Sequence, residues 1–420
     1  MLNRRQFLQQ INGALLASCL GIAPASYAKK SARVLIIGGG VAGLTVARLL
    51  KQIQPDVQIT LLEKNKNYTF GAMSNAVLAG ISQLQHIQFN YQKLTAAGIN
   101  VIFDEAAQVD KDQVETVSGK KHPYDLLLMA PGVQARWTGM EVIGDIPTYC
   151  QWSSGTGIDV LSQQVAALKN GGKVIITIPE GMISGPAAPY ERACMIADSL
   201  QKNGKNKSKI IVAQQPAHND FSQRFVDIGS KLYPNLLEFR DKQKLQQVNF
   251  KTKQLTFAQG KETADLLQVI PPQQAATIAE QSGLTDNSGW CDVAAHTFLS
   301  KKNDKVYILG DAINHPLGLR KTAQCARSQA IICALAMSDK LSGKSFNGEL
   351  PPILDVEYSL LKTDYAISHV DTYPWDATAQ RFIESKTTTT DTLATAEAAR
   401  RTFAYAQSWF NNLSYELFSS

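Results

Sequence analysis

The chain alternates short, strongly apolar runs with glycine-containing loops and longer helical stretches. The first apolar run, residues 33–37, leads into a loop of glycines and then into an apolar stretch through Leu50. A second apolar run, residues 58–62, follows a few residues later. Uninterrupted apolar runs of this length are typical of buried parallel strands, and their alternation with helices predicts an α/β fold built on a parallel sheet.

The glycine loop has the spacing of a dinucleotide-binding fingerprint. Its glycines follow the order Gly-x-Gly-x-x-Gly, and Glu63 ends the second strand twenty residues after the last of them. The first glycine allows the tight turn, the second lets the backbone approach a pyrophosphate, and the third lets the helix pack on the strand. The diphosphate then lies at the helix N-terminus, and the acidic residue accepts from a ribose hydroxyl. The cofactor contacts predicted here are Gly38, Gly40, Val41, Ala42, Gly43, Glu63 and Lys64.

Two later apolar runs indicate which dinucleotide binds. Residues 124–132 predict a strand and a turn that contains Ala130 and Gly132, and residues 305–312 predict a strand that ends at Gly310 and Asp311. In flavoproteins with two dinucleotide-binding domains, the late Asp reaches the ribityl chain, and the next helix directs its positive end at the flavin. Three motifs in this order favour FAD over free NAD.

A further strand, residues 173–178, stands where such enzymes begin a nicotinamide-binding domain. The residues after it contain no Gly-x-Gly-x-x-Gly, and Pro179 and Pro186 occupy the loop. Proline removes backbone donors that a phosphate needs. We therefore predict a second dinucleotide-like domain that does not bind nicotinamide.

The N-terminus predicts export. Arg4 and Arg5 form a twin-arginine pattern, and an apolar run over residues 11–25 precedes a small-residue cleavage site. The run is too short to span a bilayer comfortably, which favours a signal peptide over residues 1–28 and a periplasmic protein without a transmembrane segment. Lipidation at Cys19 is the second alternative.

Composition and cysteine spacing exclude several classes of function. Hydrophobic residues make up 44% of the chain, which is enough for a large core, and the net charge of +6 includes no dense basic tract, so nucleic acid is not an expected partner. Five cysteines follow the leader, and none lies in a Cys-x-x-Cys pattern. We therefore expect neither a zinc site nor covalent haem on this chain, and any haem belongs to a partner.

Several motifs resemble the flavoprotein subunit of flavocytochrome c sulfide dehydrogenase. The most specific are residues 189–192 (PYER), 270–273 (IPPQ), 310–312 (GDA) and 405–412 (YAQSWFNN). The resemblance runs from residue 33 to about residue 418. It implies a glutathione-reductase-like α/β fold, FAD, a periplasmic location and a c-type cytochrome partner. It also implies oxidation of sulfide to sulfur, with electrons passing from flavin to haem.

Three positions depart from this family. The family links FAD covalently through a Cys shortly before a Ser-Asn pair; Ser74 and Asn75 are present here and predicted to lie at the cofactor, but the Cys position holds Gly71. The two cysteines of the family's redox disulfide are replaced by Gly185 and Glu357. We therefore predict non-covalent FAD and sulfur chemistry that is slow or altered.

Five residues are candidates for roles at the flavin. The resemblance makes Glu191 a possible general base, Lys321 a possible stabiliser of negative charge on reduced flavin, and Trp409 a possible cofactor contact. Cys194 and Cys325 are the thiols best placed to replace the missing cysteines, since each lies on a predicted helix near Glu191 or Lys321. Each candidate also has a purely structural alternative. Glu191 could be a carboxylate that stabilises a helix start, Lys321 a surface lysine and Trp409 a core aromatic residue. The two cysteines could be buried packing residues.

Five segments are predicted in all. They are the signal peptide at 1–28, the two parts of the FAD-binding domain at 29–140 and 265–335, the second dinucleotide-like domain at 141–264, and a C-terminal α+β interface domain at 336–420. The leading expectation is an enzyme that passes electrons from sulfide or a related small sulfur compound through FAD to a c-type cytochrome. Two alternatives stay open: a flavoenzyme for another small reductant, and a catalytically retired FAD-binding subunit.

Overall fold

The computed structural model describes residues 31–152, 155–314, 319–384, 386–389 and 395–419. The predicted signal peptide and Cys19 lie outside these residues. Within them, no helix is both long enough and apolar enough to cross a membrane.

The glycine fingerprint belongs to a five-stranded parallel sheet with the order β20-β9-β1-β2-β5. Its strands are β1 (Arg33–Ile37), β2 (Gln58–Glu63), β5 (Ile99–Phe103), β9 (Leu126–Met129) and β20 (Val306–Ile308). Strand β9 is buried throughout and β1 nearly so, as their apolar sequences require of strands covered on both faces. Because β20 comes from late in the chain, the sheet joins the first and last dinucleotide motifs.

A second parallel sheet has the order β14-β13-β12-β18. Its strands are β12 (Lys173–Ile178), β13 (Lys209–Gln214), β14 (Leu237–Arg240) and β18 (Leu266–Val269). Strand β18 lies beyond residue 264, which is the predicted end of this domain. The difference arises because the apolar run of β18 does not indicate which sheet it joins.

The C-terminal part is an antiparallel sheet covered by a long helix. The strands β21 (Ile353–Lys362), β22 (Tyr365–Tyr373) and β25 (Lys386–Thr389) pair in that order, and α9 (Ala396–Phe418) follows. The Thr395 side chain caps this helix by accepting from Ala398 N at 3.2 Å. At the other end of α9, Phe418 stacks on Phe89 of the first domain with ring centroids 4.9 Å apart. The final helix is thereby held against the FAD-type domain.

The remaining elements connect these layers. The other α-helices are α1 (Val41–Ile53), α2 (Ser74–Leu78), α3 (Gln92–Ala96), α4 (Ile158–Ala167), α5 (Ala188–Lys202), α6 (Asp220–Leu232), α7 (Thr277–Gln281) and α8 (Ala323–Leu341). The other strands are β3 (Asn67–Thr69), β4 (Gln88–Asn90), β6 (Ala106–Val109), β7 (Gln113–Thr116), β8 (Lys121–Pro123), β10 (Val133–Ala135), β11 (Glu141–Ile143), β15 (Leu245–Asn249), β16 (Gln254–Phe257), β17 (Gly260–Thr263), β19 (Gln273–Ala275), β23 (Trp375–Asp376) and β24 (Arg381–Phe382). Helices α1 and α8 pack against each other, which brings the first and last dinucleotide motifs together.

Candidate functional site

Two glycines of the fingerprint are required by the fold itself. Gly38 has φ +99°, and a Cβ there would lie 2.3 Å from the carbonyl oxygen of Ala130. A Cβ on Gly43 would lie 2.0 Å from the carbonyl oxygen of Gly38. Both distances are far below contact, so these glycines let β1, α1 and the turn after β9 approach one another.

Gly40 is different, because its place in the fold does not require glycine. Its backbone is extended, with φ −82° and ψ −171°, and the nearest atom to an added Cβ is Tyr68 Cε2 at 3.7 Å. Gly40 is the N-cap of α1, and no side chain caps that helix among the described residues. The backbone therefore presents an uncapped, positively polarised helix end beside open space, which fits a diphosphate group.

Glu63 stands at the end of β2 beside this turn. Its Oε2 accepts from Gly39 N at 2.8 Å, and its Oε1 accepts from Asn65 N at 2.8 Å. These bonds hold the carboxylate where the fingerprint requires a ribose acceptor. Lys64 points elsewhere, because its ammonium pairs with Glu105 at 3.1 Å on the surface. The placement of Lys64 therefore gives no support to its predicted cofactor contact.

The later motifs meet the same turn. Ala130 donates its N–H to Ile37 O at 2.8 Å, and Gly132 has φ +71°. Gly310, at φ +76°, donates its N–H to Gln329 Oε1 at 2.8 Å. Asp311 next to it accepts from the Ser184 hydroxyl at 2.6 Å. The FAD-type sheet and the loop of the second domain thus share a hydrogen bond at Asp311.

Glu191 and Arg192 are two buried charged residues at the start of α5, and both bond to Asn75. The Glu191 carboxylate accepts from Asn75 Nδ2 at 2.8 Å and from Leu360 N at 2.9 Å. Arg192 donates to Asn75 Oδ1 at 2.9 Å and to Gln268 Oε1 at 2.8 Å. Asn75, predicted as a cofactor contact, thus bridges both charged groups. Ser74 beside it donates to Gly71 O at 2.8 Å.

Burial changes the titration of this pair. It raises the pKa of Glu191 to about 7, against the two hydrogen bonds and the nearby Arg192, which lower it. It lowers the pKa of Arg192 to about 10, so the guanidinium stays charged at neutral pH. Glu191 is therefore a buried carboxyl that titrates near neutrality, as an acid or base at a flavin must.

Glu191 makes the stability of the protein depend on pH. The pKa of Glu191 in the folded protein lies above the ordinary value of 4.5, so the stabilising contribution of the protonated form is full below pH 4.5 and is lost as pH rises through about 7. We expect the free energy of unfolding to fall across this window, and Glu191→Gln to make the fall shallower. Urea unfolding at several pH values measures the free energy of unfolding. If this free energy fell as steeply with pH in Glu191→Gln as in the wild type, Glu191 would not be the group responsible.

The loop between β12 and α5 is closed by hydrogen bonds within the protein. Three of its backbone N–H groups already donate, from Ser184 to Gln273 Oε1 at 2.7 Å, from Gly185 to Lys321 O at 2.8 Å, and from Ala187 to Glu357 Oε1 at 3.4 Å. Its carbonyl at Ser184 accepts from the Trp152 indole at 2.8 Å. These contacts leave a pyrophosphate few donors here, in agreement with the two prolines.

Lys321 is buried rather than exposed on the surface. Its ammonium donates to the carbonyl oxygens of Asp311 at 2.6 Å and Ile313 at 3.0 Å, and it lies 3.8 Å from the centre of the Trp290 ring. Burial lowers its pKa to about 8. Lys321 therefore holds the Asp311 turn in place, and it contributes a positive charge directly beside that motif.

The five cysteines of the described chain, Cys150, Cys194, Cys291, Cys325 and Cys333, are all free and buried. Burial raises the pKa of the Cys194 and Cys325 thiols well above the usual range. Cys325 also accepts from Gln329 Nε2 at 3.3 Å. The two candidate thiols thus have the environment of packing residues.

These thiols are expected to be inert in the folded protein. In a chain without the first 28 residues, a thiol reagent should label none of the five within minutes and all five in denaturant, because the thiolate is disfavoured and the reagent is excluded. A Val117→Cys variant is the positive control, since Val117 is 68% exposed. Rapid native labelling that Cys325→Ser or Cys194→Ser abolishes would identify that cysteine as reactive.

Trp409 lies in α9, where its indole N–H donates to Gln324 Oε1 at 3.3 Å. Its ring centroid lies 6.3 Å from that of Phe70 and 6.1 Å from that of Tyr358. The tryptophan thus joins α9, the start of α8 and the segment just before Gly71. This is the side on which the resemblance predicts a cofactor contact.

Sequence reasoning did not assign roles to several charged residues beside the site. Arg320 precedes Lys321, and around its guanidinium lie three carboxylates, from Asp355, Glu357 and Asp371. Alternate positions along a strand face the same side. The spacing of Asp355 and Glu357 on β21, and of His369 and Asp371 on β22, therefore indicates that each pair shares one face of its strand. Which of those faces is buried against Arg320 was not visible in the sequence.

Comparison with known proteins gives three family matches along the chain. Residues 158–271 match the central domain of the flavocytochrome c sulfide dehydrogenase flavoprotein chain, and residues 352–418 match the flavin-binding domain of flavocytochrome c sulfide dehydrogenase. Residues 32–175 match the pyridine nucleotide-disulphide oxidoreductase domain. The pyridine nucleotide-disulphide oxidoreductase match covers the glycine fingerprint, and the flavin-binding match covers β21, β22 and α9.

Relatives along most of the chain are sulfide:quinone oxidoreductases. The mitochondrial sulfide:quinone oxidoreductase of Mus musculus is 23% identical over 379 residues, which cover 84% of this chain and 83% of the relative. The solved structure of the sulfide:quinone oxidoreductase from Aquifex aeolicus superposes with a TM-score of 0.73 at 17% identity, covering 93% of each chain. A ferredoxin reductase from Rhodopseudomonas palustris gives a TM-score of 0.61 at 17% identity, with 82% and 83% coverage.

These findings confirm the predicted glutathione-reductase-like α/β fold and FAD as the cofactor. The glycine turn, Glu63 and Asp311 remain the predicted contacts of this cofactor. In its matched domains this chain is similar to flavocytochrome c sulfide dehydrogenase, and along most of its length it is similar to sulfide:quinone oxidoreductases, which supports an FAD-dependent oxidoreductase of this kind.

Proposed function

We propose that this protein is a periplasmic FAD-dependent oxidoreductase that oxidises sulfide or a related small sulfur compound and passes the electrons to a c-type cytochrome. The proposal rests on a difference between the two dinucleotide-type loops: the glycine turn has room and free helix-end donors for a diphosphate, whereas the loop after β12 does not. The turn at Gly40 leaves room for a diphosphate, whereas the loop at Ser184–Ala187 uses its N–H groups internally. A reductant other than a nicotinamide dinucleotide fits this arrangement, and the matched sulfide dehydrogenase domains support a sulfur compound.

When bound, FAD supplies an acceptor for two electrons. The chain itself would orient that group: the uncapped end of α1 would bind the diphosphate, Glu63 would accept from the ribose, and Asp311 would serve the ribityl chain. Lys321 contributes a buried cation beside this motif, and Glu191 contributes a buried acid at the start of α5, bonded to Asn75. Thiol chemistry is left to the substrate, because Gly185 and Glu357 stand where the resemblance implies the two cysteines of the family's redox disulfide.

The cofactor is proposed to be non-covalent, since Gly71 has no side chain that forms a bond to flavin. Acid precipitation of the purified protein is expected to leave FAD in the supernatant, with its absorbance there and a colourless pellet. Yellow colour that stays with the denatured chain would contradict the prediction. A covalently flavinylated protein carried through the same precipitation is the control.

The acceptor has a second candidate, a quinone. It is favoured by the names of the relatives that match most of the chain, which are sulfide:quinone oxidoreductases. The matched flavocytochrome c domains favour the cytochrome. The periplasmic location rests on the twin-arginine leader alone, with a lipid anchor at Cys19 as the minor alternative.

Anaerobic titration of the flavin spectrum tests the proposal. Sulfide is expected to reduce the flavin, slowly because no positioned cysteine relay is present, and NADH is expected not to reduce it. Reoxidation by cytochrome c or by a short-chain quinone then identifies the acceptor. Rapid reduction by NADH, or no reduction by any small sulfur compound, would overturn the proposed function and favour a nicotinamide-linked or retired flavoprotein.

A further inference from the structure

Tyr91 packs behind the glycine turn of the FAD-type domain. It is the N-cap residue of α3, it is only 2% exposed, and its hydroxyl donates to Gly39 O at 3.1 Å. The two partners are 52 residues apart in the chain. The bond is therefore a tertiary contact that fixes one backbone carbonyl of the turn, and the spacing of the fingerprint does not indicate it.

The backbone of the turn lies close against this tyrosine. A Cβ on Gly39 would lie 2.7 Å from Tyr91 Cε1 and 2.8 Å from its hydroxyl oxygen, and both distances are shorter than van der Waals contact. Gly39 is the variable position between the first two glycines of the fingerprint, so the dinucleotide motif by itself does not require glycine there. The ring of Tyr91 accounts for glycine at this position.

Gly39 is held on both sides by hydrogen bonds. Its N–H donates to Glu63 Oε2 at 2.8 Å, and its carbonyl oxygen accepts from Tyr91. Glu63 thus fixes the peptide group before Gly39, and Tyr91 fixes the peptide group after it. The second peptide group includes the N–H of Gly40, the N-cap residue of α1.

The direction of the Gly40 N–H follows from the planarity of that peptide group. In a trans peptide the carbonyl and the N–H point in opposite directions, and none of the described peptide bonds is cis. Because the Gly39 carbonyl faces the buried Tyr91, the Gly40 N–H points away from it. Gly39 is buried and Gly40 is partly exposed, and within the described residues the Gly40 N–H donates to no protein group. It is therefore a free donor beside the unpaired N–H groups of the first turn of α1.

The final helix supports the aromatic residues around the turn. In the last turn of α9, the ring centroid of Phe418 lies 6.0 Å from that of Tyr91. The Phe418 ring also stacks on Tyr68 with centroids 5.5 Å apart, and Tyr68 Cε2 is the nearest atom to a Cβ added at Gly40. The end of α9 thus contacts both the tyrosine behind the turn and the tyrosine beside Gly40.

We propose that Tyr91 is a positioning residue of the FAD site, whose hydroxyl holds the Gly39–Gly40 peptide group so that the Gly40 N–H is directed at the diphosphate. It acts through the backbone, since its hydroxyl bonds to the carbonyl on the opposite side of that peptide group. A donor that is already oriented costs less conformational entropy to engage, so the hydroxyl adds affinity for the diphosphate. The inference concerns cofactor binding and does not depend on which substrate is oxidised or which acceptor is reduced.

Tyr91→Phe tests this by removing the hydroxyl while keeping the buried ring. The dissociation constant of FAD, measured by fluorescence titration of flavin-free protein, is expected to rise about 2- to 12-fold, the usual worth of one protein hydrogen bond. Tyr124→Phe is the matched control, because Tyr124 is also buried and its hydroxyl also donates to a backbone carbonyl, Asp110 O at 2.6 Å. This control should lower the unfolding midpoint in urea and leave the dissociation constant unchanged. An unchanged constant in Tyr91→Phe, or an equal rise in Tyr124→Phe, would overturn the proposal.

Phosphorus NMR of the FAD-loaded protein separates positioning from a general effect on packing. The ³¹P resonances of the bound diphosphate should shift in Tyr91→Phe and keep their wild-type positions in Tyr124→Phe, because only the first substitution changes a donor at the diphosphate. Unshifted resonances in Tyr91→Phe, even with weaker FAD binding, would show that this tyrosine only supports the fold and would also overturn the proposal. Both measurements use oxidised protein, so their result is separate from that of the sulfide titration.

Discussion

A Gly40→Val chain is expected to fold and to lose FAD. The backbone of Gly40 is extended and its Cβ direction is open, so the side chain strains nothing in the protein. The same open space is where the diphosphate must approach the N-terminus of α1. If the steric conflict costs ~1–3 kcal/mol, as overpacking does, affinity falls by about 5- to 150-fold, enough for the protein to lose flavin during purification.

Flavin content of the purified variant measures cofactor binding. Circular dichroism and the unfolding midpoint of the flavin-free variant show whether the protein still folds. Gly43→Ala is the contrasting variant, because its Cβ would lie 2.0 Å from the Gly38 carbonyl oxygen and should disrupt packing of α1 on β1. A Gly40→Val protein with normal flavin content would show that the cofactor does not bind at this turn.

Replacing Arg192 by alanine is expected to destabilise the protein by ~3–5 kcal/mol, because it leaves the nearby Glu191 charge uncompensated and two buried acceptors, Asn75 Oδ1 and Gln268 Oε1, without their donor. Arg192 is 6% exposed, bonds to Asn75 and Gln268, and lies 4.4 Å from the centre of the Trp152 ring. Its loss leaves Glu191 buried without its counter-ion, so the pKa of Glu191 should rise further.

Lys64→Ala is the matched control. It also removes a cation from an ion pair, but both partners are more than half exposed, so the expected change is below ~1 kcal/mol. The urea midpoints of the two flavin-free variants give the comparison, and flavin content of Lys64→Ala checks its predicted cofactor contact. Equal midpoints would mean that the buried Arg192 guanidinium contributes no more to stability than a surface contact.

The FAD-binding turn was predictable because its requirements are local. Spacing of Gly38, Gly40 and Gly43, the apolar runs on either side and an acid at the end of the next strand are all written within about 30 residues of chain, the size of one βαβ unit. The closed second loop was predictable only in part. Two prolines indicated missing donors, but the use of the remaining N–H groups by Gln273, Lys321 and Glu357 depends on distant segments.

Burial of the candidate residues was the main point that sequence left open. Lys321 had a surface position as its alternative, and the structure places it inside, on the carbonyl oxygens of Asp311 and Ile313. Cys194 and Cys325 had reactive and packing alternatives, and their buried environment agrees with packing. An ionisable side chain looks the same in sequence wherever it lies, while its chemistry depends on desolvation and on its neighbours.

By itself, the sequence determined the fold class and the glycine turn of the dinucleotide motif, because both depend on residue type at a short spacing. Tertiary structure alone decided that β18 joins the second sheet and that Glu357 faces Arg320 with Asp355 and Asp371. Strand partners and charge clusters are set by contacts between residues far apart in the chain, which local patterns of apolar and polar positions do not specify.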